Sequence, residues 1–193
     1  MAVNDSRFAI CSRACILVGG KPIGSFDDGT TESMVAGKLW NVRVAELLTQ
    51  HDWRFAQNMV ALGHLATPPL ERWTHAWQLP ADYLKLLSVS ANGSLLRDFQ
   101  INDDQLHCDL DEQNELILEY VRQVNESYFP PYFIAVLEER LSSDFAGVLR
   151  EDASLAGFHR TQANGKLLEA KRLDRLNQPA RKFPVGRLRM ARL

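Results

Sequence analysis

Three cysteines, five histidines and twenty-four carboxylates are the residues of this chain with which chemistry could be done, and their spacing decides which chemistry is open to them. Cys11 and Cys15 stand four apart, on one face of a helix if one forms there, and two thiolates so placed could hold a metal. No His or Cys pair elsewhere has the spacing to complete a tetrahedral set, so both read as small buried hydrophobes. His107-Cys108-Asp109 contains the residue types of a cysteine hydrolase. Neighbours along a strand point to opposite faces, so this thiol and imidazole cannot form a dyad unaided. Asp103, Asp104, Asp109, Asp111, Glu112 and Glu115 form an acidic run without the spacing and central glycine of a calcium loop. It reads as a solvated turn; the functional alternative is an acidic surface facing DNA or a basic partner. Gly19-Gly20 follows a helical pattern and not a strand, so it is no phosphate cradle, and nucleophile-elbow and zinc-protease patterns are absent. The expectation is a protein that is not an enzyme, with no catalytic residue, metal ligand or cofactor assigned.

Charge points to a different kind of work. The formal net charge is −2, but residues 159–193 hold ten Lys/Arg against two Asp/Glu, while residues 1–158 hold twelve against twenty-two. Such asymmetry suggests an interaction tail. From Gln178 onward there is no acid; Arg181, Lys182, Arg187, Arg189 and Arg192 alternate with Phe183, Val185, Leu188, Met190 and Leu193. A stretch of this size cannot bury enough apolar surface to fold alone, but it could order on a partner. Pure charge neutralisation of nucleic-acid phosphates would not need the apolar residues. Their repetition favours a protein groove, with apolar anchors and arginine bonds to carboxylates. Trp40, Trp53, Trp73 and Trp77 read as core or interface residues, since a base-stacking sheet would need interleaved basic residues and the segment after Trp77 is acidic.

The elements that must position these residues follow from periodicity. The chain has 193 residues, 46% hydrophobic and 24% charged, enough for one domain with a core and a small inserted lobe. No apolar run reaches the ~20 residues of a membrane span. The apolar stretch 9–20 carries Arg13 and reads as no signal peptide, so the chain is expected to stay where it is made; an odd cysteine count fits reduced thiols in a cytosol. Helical spacing predicts helices over about 6–18, 31–52, 131–149 and 152–176, the third opened by Pro130-Pro131 and carrying a stripe of Ile134, Leu137, Leu141, Phe145 and Val148. Asn4, Asp5 and Ser6 are candidate N-caps of the first. A β insertion is expected over about 73–124, with strands near 83–90, 95–101, 105–110 and 115–120 and a hairpin turn at Asn92-Gly93. The predicted fold class is mainly α: a helical bundle with a small inserted antiparallel β lobe, forming a single domain over 1–177, and an extended C-terminal tail over 178–193.

Several short segments, taken in order, resemble a known family. The stretch Cys15-Ile16-Leu17-Val18-Gly19-Gly20-Lys21-Pro22-Ile23-Gly24-Ser25-Phe26-Asp27-Asp28-Gly29 resembles the opening of the tail tubular protein A family of short-tailed bacteriophages and related head-to-tail adaptors. The family's Trp-x-Phe-Ala segment is matched by Trp53-Arg54-Phe55-Ala56, and its Leu-Pro-x-Asp segment by Leu79-Pro80-Ala81-Asp82 after Trp77. Tyr120-Val121 and Phe129-Pro130-Pro131-Tyr132-Phe133 resemble the return to the helices. The resemblance covers residues 10 to 150; beyond them it is one of general style only. It marks Gly19, Pro22, Ile23, Trp53, Phe55, Trp77, Leu79, Pro80 and Asp82 as structural positions.

The resemblance implies a virion protein at the head-tail junction, made and assembled in the cytoplasm of a bacterial host. It implies a homo-oligomeric ring of twelve subunits between the portal protein and the tail nozzle or next tail protein. DNA would pass through the lumen without sequence-specific binding, and no membrane is involved. The family's C-terminal segment docks on the portal, which here implies Arg181, Lys182, Phe183, Val185, Arg187, Leu188, Arg189, Met190, Arg192 and Leu193. The main rival is a DNA-binding packaging or regulatory protein using the same basic segment on phosphates. A helix-turn-helix is disfavoured by the long acidic loop between the first two helices. A cell-wall hydrolase is a third reading, but no pair among the twenty-four acids is singled out for it.

Overall fold

The computed structural model describes residues 6–70 and 72–176. The expected docking residues from Arg181 to Leu193, and Asn4 and Asp5 as caps, lie outside the described residues. The first helix, α1, spans Arg7–Leu17, and Ser6 caps it by accepting from the Ala9 N–H at 3.3 Å. It ends in a left-handed turn at Gly19 (φ 71°), where Gly19 N–H bonds Ile16 O at 2.9 Å and Gly20 N–H bonds Cys15 O at 2.8 Å. The second, α2, spans Thr31–Thr49; Thr30 Oγ1 accepts from Ser33 N–H at 3.2 Å. It stops three residues before the expected end, and a turn of 3₁₀ helix follows at Arg54–Ala56. The helices α3 (Pro131–Leu149) and α4 (Ala153–Leu176) complete the body.

The hub is α3. Ten of its nineteen residues are buried, and α1, α2 and α4 all pack against it. Of the predicted stripe, Ile134, Leu137, Leu141 and Phe145 are buried, but Val148, one residue from the end of the helix, is 59% exposed, with no neighbour among the described residues to cover it. Along α4 the buried positions are Ala156, His159, Ala163, Ala170 and Asp174. The alanines at three of these steps let its backbone lie close to α3, which is why its apolar stripe reads weakly.

Eight strands stand between α2 and α3: β1 (Gln57–Ala61), β2 (Gly63–Leu65), β3 (His75–Gln78), β4 (Tyr83–Ala91), β5 (Ser94–Leu95), β6 (Gln100–Asn102), β7 (Gln105–Cys108) and β8 (Leu116–Arg122). They form two antiparallel sheets of four, ordered β1-β8-β4-β5 and β2-β3-β7-β6. Asn92 (φ 49°) and Gly93 (φ 79°) make the β4–β5 turn, both left-handed as that tight hairpin requires.

The expected mainly-α class is therefore corrected. The described residues are 46% helical and 22% strand, an α+β fold with two four-stranded sheets. The strand content was underestimated because β1 and β2 are edge strands with no buried residue, and so carry no clear period-2 alternation. The single strand expected at 95–101 is two: β5 belongs to one sheet and β6 to the other, and the chain crosses between them.

Two apolar cores result. The larger lies among the helices and takes in Trp40, Trp53, Phe129, Phe133 and Phe145. The smaller lies in the β lobe, around Trp73, Trp77, Leu79, Val89, Leu106, Cys108, Leu116, Leu118 and Tyr120. Alternation along β8 links them: Leu116, Leu118 and Tyr120 belong to the lobe core, and Val121 belongs to the helical one.

Candidate functional site

The residues singled out by type do not converge. Cys11 and Cys15 are fully buried, and burial first, then the neighbouring negative groups, pushes both thiols up to about 12, so neither is a thiolate at neutral pH. Cys108 belongs to the lobe core, and burial likewise raises its thiol. The His107 ring sits instead against Asn102 and Gln105, at 3.3 and 3.2 Å, beside a groove of about 710 Å³ bounded by the loop of Pro68 and Pro69. The acidic run is exposed: Asp104 holds the Gln78 amide at 2.8 Å, and Asp109 accepts from Thr74 N–H at 3.0 Å. Among the described residues no group of three or more His, Cys, Asp or Glu is placed to hold a metal ion, and no helix is long and apolar enough to cross a membrane.

The structural positions marked by the resemblance lie at the joints between elements. Gly19 turns the chain out of α1, and a Cβ there would come within 3.3 Å of the Arg150 guanidinium, whose Nε donates to Val18 O at 3.0 Å. Ile23 is buried and its N–H donates to Ser12 Oγ at 3.1 Å, while Pro22 beside it is exposed. Trp53 joins α2 to β1: fully buried, it donates Nε1–H to Leu47 O at 2.7 Å and stands edge-on to Phe133, with ring centroids 5.3 Å apart. Phe55 stands edge-on to the same Phe133 at 5.0 Å. Leu79 and Pro80 turn β3 into β4: Leu79 N–H donates to Asp104 O at 2.8 Å, and Pro80 O accepts from Tyr83 N–H at 3.0 Å. Asp82 accepts from the Tyr120 hydroxyl at 2.9 Å. Trp77 fills the lobe core.

One position that ties elements together was missed by sequence reasoning. Asp174, in the last described turn of α4, is only 1% exposed. Its carboxylate accepts from the Arg54 backbone N–H at 3.3 and 3.4 Å and from the Tyr132 hydroxyl at 2.9 Å, and His51 Nε2 lies 3.4 Å away. In return the Arg54 guanidinium donates Nε–H to Asp174 O at 3.0 Å. The end of α4 is thus tied to the Trp53 joint and to α3. Burial holds the His51 imidazole below its ordinary range, against the pull of Asp174. The signal in the sequence was an acid at the four-residue step after Ala170 on the small-residue face of α4.

A second buried acid sits midway along the same interface. Glu139 accepts from His159 Nδ1 and Lys166 Nζ, each at 2.7 Å, tying α3 to α4. Burial pushes its carboxyl up, but these two bonds and charges outweigh it and hold the group below the usual range. No protein-family model matches the chain, and no curated protein matches it either.

Proposed function

We propose that this protein is a head-to-tail adaptor of a tailed bacteriophage: a structural subunit that docks on the portal through residues 178–193 and stands with its copies in a ring through which DNA passes. The observation that carries the reading is the anchoring of α4 just before the basic, apolar-studded segment in sequence. The last described turn of α4 is held by Asp174 to the Trp53 joint and to Tyr132 of α3. A docking segment works best from a fixed origin, since less freedom is lost when it orders on a partner. The order of the joint residues, from Gly19 to Phe133, supports the same family reading.

Ring closure requires one heterologous contact repeated around an axis, and many copies would give avidity even where each segment binds weakly. An acidic body would let DNA slide without sticking: residues 1–158 hold twelve basic and twenty-two acidic groups. Removal of residues 179–193 is expected to leave a folded protein whose binding to the portal falls at least tenfold, read by surface plasmon resonance on immobilised portal. Unchanged affinity would overturn the docking assignment. The excess of ten basic over two acidic residues in 159–193 also fits a DNA-binding packaging or regulatory protein. Tight binding to duplex DNA that weakens steeply with salt would favour that reading.

A further inference from the structure

Three arginines from three helices face one small cavity on the helical body. Arg43 comes from α2, Arg140 from α3 and Arg160 from α4, with Ser143 and Asp144 of α3 completing a notch of about 200 Å³. They differ in freedom. Arg43 grips Asp144 with two parallel bonds, Nε to Oδ2 at 2.6 Å and Nη2 to Oδ1 at 2.8 Å, and gives its remaining nitrogen to Glu46. Those bonds raise its guanidinium further above the ordinary range despite burial, and the Asp144 charge is consumed within the wall. Arg140 donates one terminal nitrogen to Asn164 at 3.1 Å, but its Nε is buried with no hydrogen-bond partner among the described residues. Arg160 is exposed and makes no hydrogen bond or ion pair among them.

A buried N–H without a partner is unfavourable, and guanidinium groups meet oxyanions through parallel N–H bonds of matching geometry. The volume of 200 Å³ corresponds to about seven waters at ~30 Å³ each. That admits one phosphate or carboxylate group with some hydration. We propose that this notch binds a single oxyanion between Arg140 and Arg160, with the Arg43–Asp144 pair as its fixed wall. The chemistry is the same for two sources, a free phosphate ion or a carboxylate of a second copy of this chain. The second copy has carboxylates to offer: residues 57–122 hold ten Asp/Glu against four Lys/Arg, and the six acids of the run at 103–115 are exposed. The notch stands independently of the adaptor reading, although a carboxylate from a neighbour would serve as a ring contact.

The test uses the full chain with inorganic phosphate as probe. Thermal unfolding is compared in 20 mM phosphate and in chloride of equal ionic strength, alongside sedimentation velocity in both. The wild type is expected to gain about 3 °C in phosphate, and Arg160→Ala less than 1 °C, the remainder being phosphate's general salting effect. Arg160 is exposed, so its replacement leaves the fold intact, and Arg140→Lys, which keeps the charge but removes the Nε donor, should lose about half of the gain. A phosphate gain in a protein that stays monomeric identifies a free oxyanion as the ligand. Self-association in chloride that phosphate weakens and Arg160→Glu abolishes identifies the second copy. A gain equal in wild type and Arg160→Ala, or no gain at all, with association unaffected by Arg160→Glu, overturns the proposal.

Discussion

In the helical body, several buried polar side chains cross the interfaces; in the β lobe, among the described residues, His107 is the one buried polar residue and the core is otherwise apolar and aromatic. Ser142 Oγ donates to Ala14 O of α1 at 3.1 Å, Ser143 Oγ to Ala156 O of α4 at 2.8 Å, and Glu139 and Asp174 tie α4 to its neighbours. In the lobe, Trp73 Nε1 reaches Gln100 at 3.2 Å and the Tyr120 hydroxyl reaches Asp82 at 2.9 Å, while Leu106, Leu116 and Leu118 pack between the sheets. The difference follows from backbone physics. Ladder hydrogen bonds join strand to strand, and the apolar face and the turns set their register, so the lobe interior can be apolar. Helices satisfy their own backbones, so only side chains can fix how α4 slides or turns on α3, and a small-residue face supplies little apolar keying.

The comparison can be broken by single substitutions. The largest effect is expected from Phe133→Ala, which empties the aromatic centre that holds Trp53 and Phe55; it should cost about 3–5 kcal/mol, read as a fall in the urea midpoint. Leu106→Ala in the lobe should cost about 2–4 kcal/mol. Body and lobe share β8, so helical circular dichroism and Trp fluorescence should report one transition in both variants; two separate transitions would show that the regions are uncoupled.

Asp174→Ala comes next. It removes the acceptor that the Tyr132 hydroxyl and the Arg54 N–H share in a part-buried place, a loss of about 1–3 kcal/mol. Asp174→Asn, which keeps an acceptor oxygen, should lose about half as much. Hydrogen exchange should then quicken in the last two turns of α4 and leave β7 and β8 unchanged; equal loosening of the lobe would contradict the view of Asp174 as a local tie.

The smallest expected effect is on pH dependence. Burial lowers the folded-state pKa of His51, so the unfolded chain takes up its proton first as pH falls. The sign is a loss of stability that begins as pH drops through the ordinary value of about 6.5 and continues to the lowered folded value. Asp174, Lys171, Arg175 and Asp52 are the charged groups that act on it. His51→Gln should therefore flatten the change in urea midpoint between pH 7.5 and 5.5. An equally steep change in the variant would assign the dependence to other groups.

Much of the helical frame was legible in the sequence. Ser6 and Pro131 mark helix starts by cap chemistry, and the Asn92-Gly93 pair marks a turn that needs left-handed backbone. The strands β1 and β2 were not, because they are short edges whose pairing with β8 and β3 is a long-range fact. The notch of Arg43, Arg140 and Arg160 and the tie at Asp174 were illegible for a related reason. Each gathers side chains from elements distant in sequence, where no spacing rule applies, and Asp174 looks like one more surface acid on a charged helix.

The most direct test of the adaptor reading is the mass, by multi-angle light scattering, of this protein alone and then mixed with a phage portal ring. A monomer that adds to the portal in one fixed symmetric stoichiometry, and fails to add once residues 179–193 are removed, is the predicted result. No association with the portal, together with tight salt-sensitive binding of the free protein to duplex DNA, would contradict it.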